Sequence, residues 1–211
     1  MACTVFLAGC NLRCPFCHNA PLVLTAPPPQ LTEAAFFAFL EKRQGVLDGV
    51  CITGGEPTLR PDLPDFLRKI KSLGYRVKLD TNGTNPAMLQ SLLEDGIVDY
   101  VAMDIKNAPS RYSQTCGGID LTEFIRQSAT LLMAGSTDYE FRTTCVHPLH
   151  DPEAMAEIGR WLSGAKQYFL QNFVDSGDLV GSGVTGLPSE AMEALRQAVL
   201  PYIENTHLRG I

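Results

Sequence analysis

Short apolar runs alternate along the chain with segments in which apolar residues recur at helical spacing. The first pattern predicts strands and the second predicts helices between them. The predicted strands cover residues 3–9, 49–53, 75–80, 97–104, 138–146 and 167–173. Predicted helices cover about 32–43, 62–74, 120–134 and 189–203, and two more begin at Asn85-Pro86 and Asp151-Pro152.

The segment 62–74 is the clearest of the predicted helices. Leu63, Phe66, Leu67 and Ile70 mark one face, and Gly74 suits the position just after a helix end. Six βα units in strict alternation imply a parallel sheet with helices outside it. The pattern is compatible with either an open doubly wound sheet or an incomplete barrel.

Composition limits the class of protein. With 211 residues, 45% of them apolar, we expect one core and a single domain over residues 1–211. Seventeen Lys and Arg against 23 Asp and Glu give a net charge of −6, which disfavours nucleic acid as a partner. No apolar run approaches the roughly 20 residues of a membrane span, and no signal peptide opens the chain, so we expect a cytoplasmic protein without a membrane partner.

The residues best suited to chemistry follow the predicted strands. Cys10 comes after the first strand, Gly54-Gly55-Glu56-Pro57 after the second, Asp80-Thr81-Asn82-Gly83 after the third and Asp104-Ile105-Lys106 after the fourth. Parallel α/β proteins place their active sites at the carboxyl ends of strands. We therefore expect these four segments to converge on one pocket.

Three cysteines, Cys10, Cys14 and Cys17, lie within eight residues. Metal or redox chemistry explains such a group in an apparently cytosolic chain better than a disulfide framework does. A structural zinc site and an ordinary electron-transfer cluster each use four protein ligands, so the three clustered cysteines are one ligand too few for either. A zinc site completed by His18, and cysteines that are merely buried, remain alternatives.

The other four of the seven cysteines show no such grouping. Cys3, Cys51 and Cys145 lie in predicted strands, where packing explains a cysteine better than metal binding does. Cys116, beside two glycines in a predicted loop, is open to either interpretation. We therefore expect one metal cluster only.

The spacing Cys10-x3-Cys14-x2-Cys17, followed by 53-TGGEPT-58, resembles the radical S-adenosylmethionine (SAM) superfamily. The resemblance implies an α/β fold, a single-domain incomplete (β/α)6 barrel. It implies that the three cysteines hold a [4Fe-4S] cluster whose fourth iron is open to the amino and carboxylate groups of SAM. An electron from the cluster would then break a C–S bond of SAM, giving methionine and a 5′-deoxyadenosyl radical.

The resemblance also implies contacts to the bound cofactor. The Gly54-Gly55 segment would bind the SAM amino group. The complete set of expected cofactor-binding residues is Phe16, His18, Asn19, Gly54, Gly55, Glu56, Pro57, Asp80, Thr81, Asn82, Asp104, Lys106 and Arg142.

A monovalent cation is a further expectation. Two carboxylates, Asp80 and Asp104, facing a pocket that receives an anionic ligand need a positive charge between them. This part of the sequence is similar to pyruvate formate-lyase activating enzyme, in which matching segments supply a monovalent-cation site. The similarity implies such a site at Asp80, Thr81 and Asp104.

Several longer sequence segments resemble those of the anaerobic ribonucleoside-triphosphate reductase activating proteins, among them 5-VFLAGCNLRCPFCHN-19 and 98-VDYVAMDIK-106. Cys17-His18-Asn19 is typical of activases that install glycyl radicals. The resemblance implies removal of a glycine Cα hydrogen from a partner glycyl radical enzyme, with a flavodoxin or ferredoxin-type electron donor. A radical SAM enzyme acting on a small molecule or peptide, and a non-enzymatic metal-binding module, remain alternatives.

Two departures from the activase pattern are visible. Val174 stands where that pattern has a polar residue contacting the ribose, so the ribose contact is unassigned. The family usually carries a segment before its first strand, which leaves the position of the native N-terminus open.

His147 and His150 are expected to be surface histidines of a loop rather than ligands.

Overall fold

The computed structural model of the protein describes residues 1–25 and 27–211. Its centre is one sheet of seven strands, all parallel and adjacent in chain order. The strands are β1 (Ala2–Leu7), β2 (Gly49–Gly54), β3 (Arg76–Thr81), β4 (Tyr100–Asp104), β5 (Asp138–Cys145), β6 (Tyr168–Asn172) and β7 (Thr206–Arg209).

Helices connect these strands. They are α1 (Ala20–Leu24), α2 (Glu33–Glu41), α3 (Leu63–Ser72), α4 (Pro86–Glu94), α5 (Tyr112–Thr115), α6 (Thr122–Ala134), α7 (Pro152–Trp161) and α8 (Ser189–Val199). Two short 3₁₀ turns lie at Pro57–Leu59 and Pro109–Arg111. No helix in the described part of the chain has both the length and the apolar character needed to cross a bilayer.

The sheet is not closed. Among the described residues, β1 pairs only with β2 and β7 only with β6, so the two outer strands leave a gap between them. The α/β fold with an incomplete barrel, expected from the sequence, is confirmed. In the part of the chain that the structure describes, six βα units are present, and a seventh strand follows the last of them.

Every predicted strand is present, with boundaries that differ by up to three residues. The prediction missed β7, because 206-THLR-209 is short and carries two basic or imidazole side chains among four residues. It also missed the short helices α1 and α5. The predicted helix 189–203 ends earlier, at Val199, two residues before Pro201, whose ring cannot continue a helix.

Alternate residues of each strand point to opposite sides of the sheet. Ile52, Leu79 and Val101 lie in register on the side facing the helices, and none of them is exposed to solvent. The opposite, concave side carries charged residues, such as Asp80 on β3 and Arg142 on β5. The helices therefore cover the apolar side, and the charged side faces the barrel interior.

Capping residues set where the helices begin. The side chain of Asn85 accepts a hydrogen bond from the Met88 amide, and that of Asp151 accepts one from the Ala154 amide. Both predicted helix starts are confirmed. Gly74 follows α3 with a φ of +88°, a left-handed conformation that glycine adopts without steric cost.

Replacing Phe141 with alanine is expected to lower the free energy of unfolding by about 3–5 kcal/mol, because the ring is completely buried between sheet and helices. Phe124→Ala is the matched control. Its ring on α6 is 48% exposed, so we expect a change within about 0.5 kcal/mol. Urea unfolding measures the free energy of unfolding of both variants. Equal losses in the two variants would contradict the placement of Phe141 in the core.

Candidate active site

A cavity of about 310 Å³ opens at the carboxyl ends of the strands. The four segments expected to converge do so around it. Of the sequence-predicted site residues, those lining it are Cys10, Cys14, Phe16, Cys17, His18, Asn19, Gly54, Gly55, Asp80, Thr81, Asn82, Asp104, Lys106 and Arg142. Thr53 of the TGGEPT segment lines it as well, and so do Thr144 and Gln171, which no sequence motif marks.

Glu56 and Pro57 do not line the cavity. The Glu56 side chain is 1% exposed, and its carboxylate accepts hydrogen bonds from the Thr58 amide (3.0 Å), the Thr81 hydroxyl (2.7 Å) and the Asn82 amide (2.6 Å). Burial raises the pKa of Glu56, while these hydrogen bonds act in the opposite direction. Glu56 therefore joins the loops after β2 and β3 from behind the cavity wall.

Backbone hydrogen bonds from three directions hold the loop that contains the cysteines. The Glu56 amide donates to the carbonyl of Gly9 (2.7 Å), and the Gly181 amide donates to that of Pro15 (3.0 Å). The Arg13 amide donates to the carbonyl of Cys116 (3.0 Å). The loop is thus held by the end of β2, the segment that follows β6 and the turn after α5.

The sulfur of Cys10 has polar neighbours of its own. The Leu12 amide lies 3.4 Å from it, and the Asn82 side-chain amide lies 3.8 Å from it. Asn82 also donates to the Asn11 side chain (3.1 Å). The loop after β3 is therefore in direct contact with a cysteine of the first loop.

The donor set fits an iron–sulfur cluster better than it fits a zinc ion. In the described residues, no three Cys, His, Asp or Glu side chains lie close enough together to hold one metal ion. His18 stacks on Phe173 with ring centroids 5.0 Å apart, and its Nε2 lies 2.7 Å from the carbonyl oxygen of Val174. A cluster binds each thiolate at a different iron, so it needs soft sulfur donors that line one wall without meeting at a point.

Gly54 and Gly55 pack directly against the start of the cysteine loop. A Cβ atom at Gly55 would lie 2.0 Å from the carbonyl oxygen of Gly9, and Gly54 has a φ of +122°. The Asn19 side chain donates to the carbonyl of Gly54 (3.0 Å). The paired glycines therefore permit close backbone packing between β1 and β2, in addition to leaving room for a ligand.

Five charged side chains meet across β3, β4 and β5. Arg142 donates from Nε to Asp104 (2.9 Å) and from Nη1 to Asp80 (3.2 Å). Lys78 Nζ lies 2.6 Å from Asp80, and Lys106 Nζ lies 3.1 Å from Asp104. Three cations against two carboxylates leave this group with one net positive charge.

Asp104, Lys106 and Arg142 stay ionised at neutral pH. Burial alone would raise the pKa of Asp104, but Arg142 and Lys106 outweigh it and lower that pKa to about 2. Burial likewise disfavours the charged forms of Arg142 and Lys106, but the neighbouring anionic groups, Asp104 foremost, together outweigh it and raise both pKa values. The cavity therefore presents a positive charge suited to an anionic group such as a carboxylate.

One residue at this site differs from its expectation, and another, Cys116, which the sequence left open, now has a defined environment. His150 is 4% exposed rather than on the surface, and its Nε2 lies 2.9 Å from the carbonyl oxygen of Lys106, so it supports the loop after β4. Cys116 is 1% exposed, and its sulfur lies 3.7 Å from that of Cys14. Sequence spacing gives no signal for either contact, because both depend on tertiary packing.

Residues 4–162 match the family described as the Radical SAM superfamily. The chain belongs to the radical SAM superfamily. Membership implies a [4Fe-4S] cluster and SAM as cofactors, and the three cysteines on the cavity wall are suitable cluster donors.

Two relatives show which kinds of radical SAM protein this chain is similar to. A protein of Methanocaldococcus jannaschii, provisionally named a glycyl-radical enzyme activating enzyme, is 31% identical over 98% of this chain and 88% of its own length. PqqA peptide cyclase of Methylorubrum populi is 32% identical over 52% of this chain but only 29% of its own length.

A solved structure supports the fold of this radical SAM protein. SuiB of Streptococcus suis, bound to S-adenosylmethionine, superimposes with a TM-score of 0.77 over 99% of this chain and 50% of SuiB. Sequence identity between the two is 14%, so the likeness concerns the fold alone.

Gly55→Ala is expected to lose most of the iron that the wild type binds on anaerobic reconstitution and to lower the free energy of unfolding by about 2 kcal/mol. The reason is steric, since the added methyl displaces the start of the cysteine loop. Gly74→Ala is the control, because its φ is positive but no atom lies within 4 Å of the added Cβ. We expect it to lose about 1 kcal/mol and no iron. Equal iron content in both variants would contradict the steric explanation.

Proposed function

We propose that this radical SAM enzyme is a glycyl-radical-enzyme activase. It would remove a Cα hydrogen atom from one glycine of a partner glycyl radical enzyme, an anaerobic ribonucleotide reductase. The observation that carries the proposal is a cysteine-lined cavity at the mouth of a sheet whose outer strands do not meet. The M. jannaschii relative, similar over nearly the whole chain, supports the same activity.

Cys10, Cys14 and Cys17 would each bind one iron of the cluster. When bound, the cluster supplies the electron that splits SAM reductively, and the fragment so formed removes the hydrogen atom. The hydrogen bonds that fix the cysteine loop keep the three sulfurs on one wall of the cavity. A flavodoxin or ferredoxin-type protein would deliver the electron.

Other residues that line the cavity would orient SAM. Gly54 and Gly55 bring backbone to the cavity surface without side chains, which leaves room for the SAM amino group. Lys106 and Arg142 provide the positive charge for its carboxylate. His18, next to Cys17, stacks on Phe173 just after β6, which holds this end of the cysteine loop against the end of that strand.

The open side of the barrel suits a protein substrate. The reacting atoms must come into contact away from water, because misplacement by about 1 Å costs rate and an exposed radical reacts with other molecules. Phe6, 56% exposed on the outer strand β1, pairs in register with Thr53, which lines the cavity. This apolar surface at the entrance would contact the partner as its glycine loop enters.

The test follows deuterium from the partner into 5′-deoxyadenosine. The reconstituted enzyme, SAM and a reductant are mixed anaerobically with a candidate reductase whose glycines carry deuterium at Cα. We expect one deuterium in the product and a glycyl radical signal in the electron paramagnetic resonance spectrum of the reductase. Cys14→Ala should give neither, because one cluster ligand is missing.

The relationship to PqqA peptide cyclase favours a second candidate, modification of a peptide other than a glycyl radical enzyme. The same label separates the two. Deuterium that reaches 5′-deoxyadenosine only from a peptide or small metabolite, and never from a glycine-labelled reductase, would support the second candidate and reject the activase.

The monovalent cation expected at Asp80, Thr81 and Asp104 needs a separate test. Arg142 already lies between the two carboxylates, and the Thr81 hydroxyl is engaged with Glu56. We propose that Arg142 supplies the charge that such an ion would bring.

We expect the SAM affinity of the wild type to be the same, within about twofold, in sodium, potassium or a bulky organic cation at equal ionic strength. Arg142→Ala should weaken SAM binding about tenfold, or about 1.4 kcal/mol. Arg126→Ala is the control, because this residue lies over Trp161 on the outside of the barrel. Calorimetric titration measures each affinity. If the wild type binds SAM much more weakly when sodium and potassium are absent, the result would contradict the proposal for Arg142 and support the monovalent-cation site.

A further inference from the structure

Cys14, one of the three proposed cluster ligands, is in contact with a second thiol. Its sulfur lies 3.7 Å from that of Cys116, although the two residues are 102 positions apart in the chain. Cys14 is 5% exposed and Cys116 is 1% exposed. The contact is therefore shielded from water on both sides.

The backbone around Cys116 holds the thiol in place. Its amide donates to the carbonyl of Tyr112 (3.0 Å), the first residue of α5, and its carbonyl accepts from the Arg13 amide (3.0 Å). Gly117, with a φ of +95°, follows it, and a Cβ there would lie 2.8 Å from the Cβ of Arg13. The turn after α5 thus packs tightly on the cysteine loop.

The direction of the hydrogen bond follows from the chemistry of the ligand. A cysteine bound to iron is a thiolate and has no proton, so Cys14 can only accept. The S–H of Cys116 must then be the donor. In the same way, the Asn82 side-chain amide and the Leu12 backbone amide are hydrogen-bond donors to the sulfur of Cys10. Hydrogen-bond donors therefore approach two of the three ligand sulfurs.

We propose that Cys116 is a positioning residue for the cluster, which donates an S–H···S hydrogen bond to Cys14 and raises the cluster's reduction potential. Reduction places more negative charge on the ligand sulfurs, and a donor stabilises that charge. The proposal rests on the cluster assignment within the proposed function and is independent of the identity of the partner.

The experiment is a potentiometric titration of the reconstituted full chain, followed by electron paramagnetic resonance, with iron content measured in parallel. In Cys116→Ala we expect four irons per chain and a ratio of reduced to oxidised cluster about tenfold lower at a fixed potential. For a one-electron couple this corresponds to a midpoint about 59 mV more negative. Cys116→Ser, whose hydroxyl also donates, should stay within about twofold of the wild type.

Cys145→Ala is the control for losing a buried thiol. Cys145 is 0% exposed in β5, and its sulfur lies 3.7 Å from the carbonyl oxygen of Thr143. Its midpoint should match the wild type. An unchanged midpoint in Cys116→Ala, or equal shifts in the Ala and Ser variants, would overturn the proposal.

Iron content separates the remaining outcomes. Fewer irons in Cys116→Ala would make Cys116 a ligand and reject the hydrogen-bond role, whereas a wild type without iron would reject the cluster assignment itself. Infrared spectroscopy decides the matter if Cys116→Ala fails to fold. The wild-type minus Cys116→Ser difference spectrum should contain an S–H stretch at lower frequency than that of a free thiol, and its absence would count against the proposal.

Discussion

The buried carboxylate of Glu56 is the interaction on which the geometry of the site depends. It is the common acceptor for groups from the loop after β2 and the loop after β3, including the amide of Asn82. Asn82 in turn reaches the sulfur of Cys10, so a continuous series of contacts runs from Glu56 to the cysteine loop. A carboxylate withdrawn from water requires several donors to remain favourable there. The need to satisfy this one side chain therefore aligns three loops that the sheet alone would only bring near each other.

A similar constraint operates across the concave face of the sheet. Parallel pairing places Asp80, Asp104 and Arg142 close together on three adjacent strands, where the two carboxylates would repel each other without a cation between them. From the sequence alone, a bound monovalent cation is the expected source of this positive charge. The structure shows that β5 brings its own guanidinium to the same place.

Features with a local sequence signal could be predicted. The cysteine spacing, the Gly-Gly-Glu-Pro segment and the strand endings each depend on residues close together in the chain, and strand order then brings them to one cavity. The burial of His150 and the contact between Cys14 and Cys116 could not be predicted, because each joins residues from distant segments through packing. Strand β7 escaped prediction for another reason: four residues with mixed polarity do not produce a clear alternating pattern.

The open sheet has a further consequence for the behaviour of the protein in solution. Among the described residues, β1 has one edge whose backbone groups are not paired with another strand, and its side chains, from Ala2 to Leu7, include neither a charge nor a proline. Charges and prolines are what usually prevent such an edge from adding a strand from another molecule. Strand β7 has Arg209 and His207 for this purpose. The β1 edge is therefore less protected against strand addition than the β7 edge, and a strand added there would lie next to β1 and one strand away from Thr53 of the cavity lining.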